Sequence, residues 1–248
     1  MIKYVFFDLD GTVLPMDQDK FIKLYFGALA KKLAPCGYTP DAVVAAIWDG
    51  TRAMLRNRSG RVNEELFWER FRAVLGDDVM RVVPIIDEFY TNEFFAARAA
   101  CGCNPKMRAV LDLLHERGIG AVLATNPVFP PIASETRMRW GGAVPEDFLF
   151  ITHYSNSHYC KPDPDYYREI IERLGAKAEE CLMVGNDVSD DMSAAAVGCK
   201  VFLLTDCLIN TAGADISAYP NGDCDALYEH LCAVTSMTAG EDAHPEKR

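Results

Sequence analysis

Basic residues are in short supply in this chain: 25 Lys and Arg stand against 36 Asp and Glu, a formal net charge of −11. Nucleic-acid binding normally calls for a basic face, so this balance argues against a binder of phosphate backbones. No apolar stretch approaches the roughly 20 residues that cross a bilayer. The N-terminus enters an apolar run almost at once, with no charged-then-apolar leader. The expectation is a soluble, unexported, cytoplasmic protein with neither a membrane nor a nucleic-acid partner. Internal repeats and low-complexity tracts are absent. His115, His153, His158, His230 and His244 show no metal-ligand spacing. The nine cysteines, an odd number, lack the spacing of a disulfide scaffold, which points to a reducing compartment. Cys101-Gly102-Cys103 is too short and isolated for a zinc site.

What is present is enough apolar material for a large core: half of the 248 residues are hydrophobic, sufficient for one large domain or two modest ones. Short apolar runs at 4–7, 120–124, 148–151, 181–184 and 200–204 lack polar alternation, as strands buried on both faces do. Between them lie helix-like stretches, at 105–117 before Gly118 and at 166–174 before Gly175. This alternation predicts an α/β fold with a doubly wound parallel sheet. Residues 15–100 read differently. Phe21, Leu24, Tyr25, Ala28 and Leu29 follow helical periodicity, as do 42–55, 64–75 and 82–95, and strand candidates are missing. An all-helical insertion of about four helices is therefore expected after the first strand, with the sheet domain formed by 1–14 and 101–234 and a frayed tail at 235–248.

Chemistry is concentrated where apolar runs end. Asp8-Leu9-Asp10-Gly11-Thr12 follows the first run. Residues two apart on a strand face one side, so Asp8 and Asp10 can converge while Gly11 lets the chain turn. Like charges at such a point raise one another's pKa and invite a cation, conditions suited to one carboxylate that attacks and another that moves a proton. Taken alone, an ordinary polar turn is as good a reading. The second run ends in Thr125-Asn126-Pro127, where a hydroxyl and an amide can bind phosphate oxygens. Cys160-Lys161-Pro162-Asp163-Pro164 holds an ammonium beside a stiff turn, although a solvated lysine is the commoner case. Gly185-Asn186-Asp187-Val188-Ser189-Asp190-Asp191 gathers carboxylates that suit a hard divalent cation, or else acids complementing a helix dipole.

In chain order and type, these four segments resemble the haloacid dehalogenase superfamily of hydrolases, which carries a DxDGT-type loop, a Thr or Ser strand end, a lysine and an acidic loop. The resemblance covers 1–14 and about 101–210. Lys161-Pro162-Asp163-Pro164, Tyr166-Tyr167 and Val184-Gly185-Asn186-Asp187 look more narrowly like the phosphoglycolate-phosphatase-like branch with a helical cap. It implies a Rossmann-like core and a Mg²⁺-dependent phosphatase acting on a small phosphorylated metabolite. Asp8 is then the nucleophile that forms an aspartyl-phosphate and Asp10 the general acid and base. Thr125 and Asn126 bind phosphate, and Lys161 bridges Asp8 and the phosphate. Mg²⁺ sits on Asp8, the Asp10 carbonyl and Asp187, with Asp191 close by and Asp190 as the alternative. The acidic loop departs from the commoner Gly-Asp form by carrying Asn186. The resemblance also implies a cap, residues 15–100, that governs which substrate reacts, with Lys20, Lys23, Arg52, Arg56 and Arg58 as its candidate contacts. A phosphoglucomutase would share every sheet-domain residue and stands as the alternative, with a non-catalytic binding protein of this fold as the other. A dehalogenase would need neither Asp10 nor Asp187, and a phosphonatase would replace Asp10 by a small residue.

Overall fold

The structure, a computed structural model, describes residues 1–235. Its centre is a parallel sheet of five strands in the order β2-β1-β3-β4-β5. The strands are β1 (Tyr4–Phe7), β2 (Gly120–Leu123), β3 (Cys181–Gly185), β4 (Lys200–Leu204) and β5 (Asn221–Gly222). Four of them are the expected apolar runs. β5 is two residues long and has no apolar run to betray it. The run at 148–151, expected as a strand, lies along β2 and bonds to it, Leu149 N–H to Ala121 O, Leu123 N–H to Phe150 O and Thr152 N–H to Leu123 O, around a parallel Leu123–Ile151 bridge, without forming a regular strand. It follows directly on a short 3₁₀ turn, Pro145–Asp147, and Leu149 is exposed.

The continuous apolar character of the strands follows from cover on both faces. Val5, Phe7, Leu123, Val184 and Leu204 belong to one core with Met107, Val110 and Leu114 of α5 (Pro105–Glu116) and Leu227 and Leu231 of α8 (Cys224–Val234). Phe6, Val122, Met183 and Leu203 belong to the other, with Tyr166, Tyr167 and Ile170 of α7 (Pro164–Leu174). Each such side chain contributes roughly 1.5–3 kcal/mol by leaving water. α7 begins where its sequence says it should: Asp163 caps the Asp165 N–H and Pro164 occupies the first turn.

Between β1 and α5 the regular structure is entirely helical: α1 (Gln18–Leu33), α2 (Pro40–Leu55), α3 (Asn63–Leu75) and α4 (Val83–Thr91), followed by a 3₁₀ segment, Glu93–Ala100. Their aromatic interior, Phe21, Tyr25, Phe89, Tyr90 and Phe94, is continuous with the first sheet core. The link between α2 and α3 is tied down onto the sheet domain. Buried Asn63 accepts from Asn57 Nδ2 at 2.9 Å, and its own amide group faces the Pro127 carbonyl at 3.2 Å and Cys160 Sγ at 3.3 Å. Its backbone N–H donates to Ser157 O, and that of Glu64 donates to Tyr154 O. Arg58 adds an ion pair to Asp163. Of the tail expected from Thr235 onward, only Thr235 lies within the described residues. It is buried, with its hydroxyl donating to Leu231 O and accepting from Arg117.

Because Asn63 joins the segments that carry Asn126 and Lys161, Asn63→Ala leaves the Pro127 carbonyl and the Asn57 amide short of a partner. The expected destabilisation is about 1–3 kcal/mol, a fall of several degrees in Tm, with faster hydrogen exchange at 57–64. An unchanged melt and exchange pattern would show that this loop is not held by Asn63.

Candidate active site

Parallel α/β sheets bind ligands beyond the carboxyl ends of their strands, near the point where the strand order reverses. Here that point lies between β1 and its neighbours β2 and β3, and the four sequence segments gather there. Asp8, Asp10, Thr125, Asn126, Lys161, Asn186, Asp187, Asp190 and Asp191 line a single cavity of about 220 Å³, joined by Gln18 and Ile209. Every site residue expected from the sequence is thus in one place. Gln18 is the insertion's contribution to the lining. Lys20, Lys23, Arg52, Arg56 and Arg58 are all exposed and none of them borders the cavity.

At its base is a buried cation. Lys161, 2 % exposed, donates from Nζ to Asp8 Oδ1 at 2.8 Å and to Asp191 Oδ1 at 2.7 Å. Burial works against an ammonium here, but the Asp191 and Asp8 charges outweigh it and hold Lys161 well above the ordinary lysine range. Lys161 is therefore no solvated surface lysine. Its peptide bond to Pro162 is cis.

Asp191 is fully engaged. Its Oδ2 accepts the Asp187 N–H at 2.9 Å while Oδ1 holds Lys161. Burial pushes its carboxyl up to about 7, with Lys161 pulling the other way. The two candidate acids at this point are thereby separated: Asp191 anchors the lysine, and Asp190 receives Asn126 Nδ2 at 3.2 Å. Burial raises the Asp190 carboxyl too. Asp187 uses Oδ1 to accept the Ser189 and Asp190 N–H groups, which closes the acidic loop on itself. The residues after it form a 3₁₀ turn, Met192–Val197, rather than an α-helix.

Two glycines make this packing possible. A Cβ on Gly185 would overlap the Asp191 carboxyl group, and one on Gly11 would overlap the Asn186 amide at a backbone φ of +93° that side chains disfavour. Asn186 itself accepts from Thr12 at 2.9 Å and donates to the Cys207 carbonyl at 2.7 Å, so the amide that replaces the commoner acid ties the first loop to the fourth.

Several contributors escaped sequence reasoning. Tyr166 donates to the Thr125 carbonyl at 2.9 Å, Thr152 to the same atom at 2.7 Å, and Tyr167 to the Asp190 carbonyl at 2.8 Å, so one turn of α7 fastens two of the site's loops. The most consequential is Arg137, on α6 (Pro131–Trp140), fully buried and paired with Asp10 Oδ2. Its spacing was the available signal: Ala133, Ser134, Arg137 and Met138 form the buried stripe of that helix, and an arginine on such a stripe needs an anion. Burial raises the Asp10 carboxyl, opposed chiefly by Arg137 and assisted by Asp8.

Comparison with known proteins agrees with this arrangement. The family model described as haloacid dehalogenase-like hydrolase matches residues 2–198. A phosphoglycolate phosphatase of Rhodospirillum rubrum is 26% identical over 216 residues, covering 83% of this chain and 80% of that protein. Among solved structures, a 2-haloacid dehalogenase from Pseudomonas syringae pv. Tomato superposes with a TM-score of 0.62 at 20% identity, covering 94% of this chain and 100% of the other. A HAD phosphatase from Thermococcus onnurineus gives 0.57 at 19% identity, covering 93% and 98%. With its parallel sheet, its strand-end carboxylates and a family match over most of its length, the chain belongs to the haloacid dehalogenase-like hydrolases.

Proposed function

We propose that this hydrolase is a Mg²⁺-dependent phosphatase that cleaves a small phosphomonoester through an aspartyl-phosphate on Asp8. The observation that carries the reading is the buried Lys161 ammonium bonded to Asp8, with a second carboxylate, Asp10, two residues further along. Lys161 holds one oxygen of Asp8 in place at 2.8 Å and offers positive charge to the phosphoryl oxygens as they approach. Thr125 and Asn126, which line the same cavity, suit the remaining oxygens. In the first half-reaction an Asp8 oxygen bonds to phosphorus, the bond to the ester oxygen breaks, and Asp10 donates a proton to the departing alkoxide. In the second, Asp10 takes a proton from water as that water attacks phosphorus, and Asp8 and inorganic phosphate separate.

The donor set fits a hard dication. Five carboxylates border the cavity against the Lys161 charge, and burial raises three of them, Asp10, Asp190 and Asp191. Among the described residues no three Asp, Glu, His or Cys side chains form a closed ligand cage, and Mg²⁺ characteristically takes one or two carboxylates and keeps its waters. Asp8, the Asp10 carbonyl and Asp187 are the residues we assign to it, with Asp191 behind them. When bound, the ion cancels repulsion between Asp8 and the phosphate dianion.

The phosphatase relatives support the class of reaction. Their named substrate carries a carboxylate as well as a phosphate, whereas Lys161 is the cation among the lining residues here and is already flanked by two acids; the proposal therefore stops at a small phosphomonoester. Halide expulsion requires no proton, so a dehalogenase would give Asp10 nothing to do. Residues 15–100 act, in this reading, as the cap that excludes water and selects the substrate.

Asp8→Asn is expected to lower phosphate release by at least about a thousandfold while the circular dichroism remains that of the parent, with a lower Tm because the buried Lys161 ammonium loses one of its two anionic partners. The assay is a screen of sugar phosphates, nucleotides, phosphoglycolate and an aryl phosphate, and an active Asp8→Asn enzyme would falsify the nucleophile assignment. Excess chelator is expected to abolish turnover and added Mg²⁺ to restore it, with Asp187→Asn raising the half-saturating Mg²⁺ concentration roughly 10- to 100-fold. Full activity in chelator, with metal absence verified by elemental analysis, would rule the metal out.

A further inference from the structure

Asp10 is held in an unusual way for a group that must deliver and recover a proton. Its Oδ2 is bound by Arg137 Nη1, while Oδ1 has no protein partner. The arginine is itself buried and held through two of its three nitrogens, Nη2 having no hydrogen-bond partner. Nε donates to the Ala133 carbonyl at 3.2 Å, one turn back on α6. The guanidinium carbon stands 4.1 Å from the centre of the Phe129 ring and 5.8 Å from that of Phe21, and its exposure is 0 %. Phe129 follows the Thr125-Asn126 loop by a few residues, and Phe21 belongs to α1 of the helical insertion. A buried cation lying over one ring and tethered through Nε has little rotational freedom, so the carboxylate oxygen it grips has little either.

We infer that Arg137 is a positioning residue for Asp10: it fixes Oδ2 and thereby presents Oδ1 as the oxygen that carries the proton to the leaving alcohol. This rests on the reading of Asp10 as general acid. The two carboxylate oxygens have separate tasks, one structural and one chemical. Without the guanidinium, Asp10 Oδ2 would lose its partner, and the carboxyl group would be free to turn toward another donor. The step affected is cleavage of the ester bond, in which the P–O electron pair passes to the leaving oxygen and the Asp10 proton follows it. Attack by Asp8 and the hold of Lys161 on the phosphate would continue. The loss should therefore scale with how badly the leaving group needs a proton.

That dependence gives the test. The full-length enzyme and its Arg137→Met, Arg137→Lys and Asp10→Asn variants are assayed with 4-nitrophenyl, phenyl and benzyl phosphate, esters of similar shape whose leaving groups range from a stable phenolate to an alkoxide that must be protonated. The wild-type kcat/KM, which reports the steps up to departure of the alcohol, should vary little along the series. In Arg137→Met the loss of kcat/KM on benzyl phosphate should exceed that on 4-nitrophenyl phosphate by about 30-fold or more, within the range general acids contribute. Inhibition by inorganic phosphate should change little. Asp10→Asn should steepen the series in the same sense. If Asp10→Asn does not steepen it, the general-acid reading is at fault. If Asp10→Asn steepens it and the Arg137 variants lose activity equally on all three esters, or lose none, Arg137 does not position Asp10. Should Arg137→Met fail to fold, Arg137→Lys decides the matter: it retains a charge but only one point of contact, and the same selective loss, about tenfold, supports the inference while a uniform one overturns it.

Discussion

The charge of Lys161 is the constraint around which this site is built. An ammonium withdrawn this far from water is tolerable only with close anionic partners, and it has two, Asp8 from the end of β1 and Asp191 from beyond β3. Those strands are neighbours in the sheet, with Phe7 level with Val184, so the sheet register sets how far apart the two carboxylates lie. The other demands follow. Gly185 must lack a side chain for Asp191 to fit, Asp187 must offer its N–H to the far oxygen of Asp191, and Tyr167 must hold the loop from below. Removing either carboxylate leaves the buried Lys161 charge with a single anionic partner, and for that reason the position of Asp8 and the stability of the core are linked.

A second buried cation serves the other acid. Arg137 and Lys161 divide the acidic cluster between them, one on Asp10 and one on Asp8 and Asp191. Both are enclosed by the helical insertion as well as by the sheet domain, since Phe21 stacks over Arg137 and Asn63 reaches the segment that leads into Lys161. The insertion thus reaches the cavity and its surroundings through Phe21, Asn63 and the lining residue Gln18. Of its exposed cations, Arg52 pairs locally with Asp49, and Arg58 pairs with Asp163 of the sheet domain, away from the cavity.

What the sequence disclosed and what it withheld divide along a physical line. The strands and the position of the four loops were legible because a doubly covered strand must be apolar throughout, and because Asp, Lys and Thr at strand ends have few reasons to cluster there. The all-helical stretch before α5 was legible from periodicity alone. The different partners of Asp190 and Asp191 were not, since both border the cavity and only the folded backbone sets Asp191 against Lys161 and Asp190 against Asn126. Arg137 was hidden for a different reason: charges in a helix are usually on its wet face, so its place on the apolar spacing of Ala133 and Met138 was a faint signal beside the partner 127 residues away in sequence. β5 and the edge run at 148–151 failed on length and exposure, where hydrophobic patterning has little to work with.

The central claim is that phosphate passes through Asp8. It is tested most directly by acid-quenching the enzyme during turnover of a phosphomonoester, reducing any acyl phosphate with borohydride, and locating the product by peptide mass spectrometry. The account predicts homoserine at position 8 in place of aspartate, dependent on substrate and lost in Asp8→Asn. Reduction at another carboxylate, or turnover with no reducible acyl phosphate at any quench time, would contradict it.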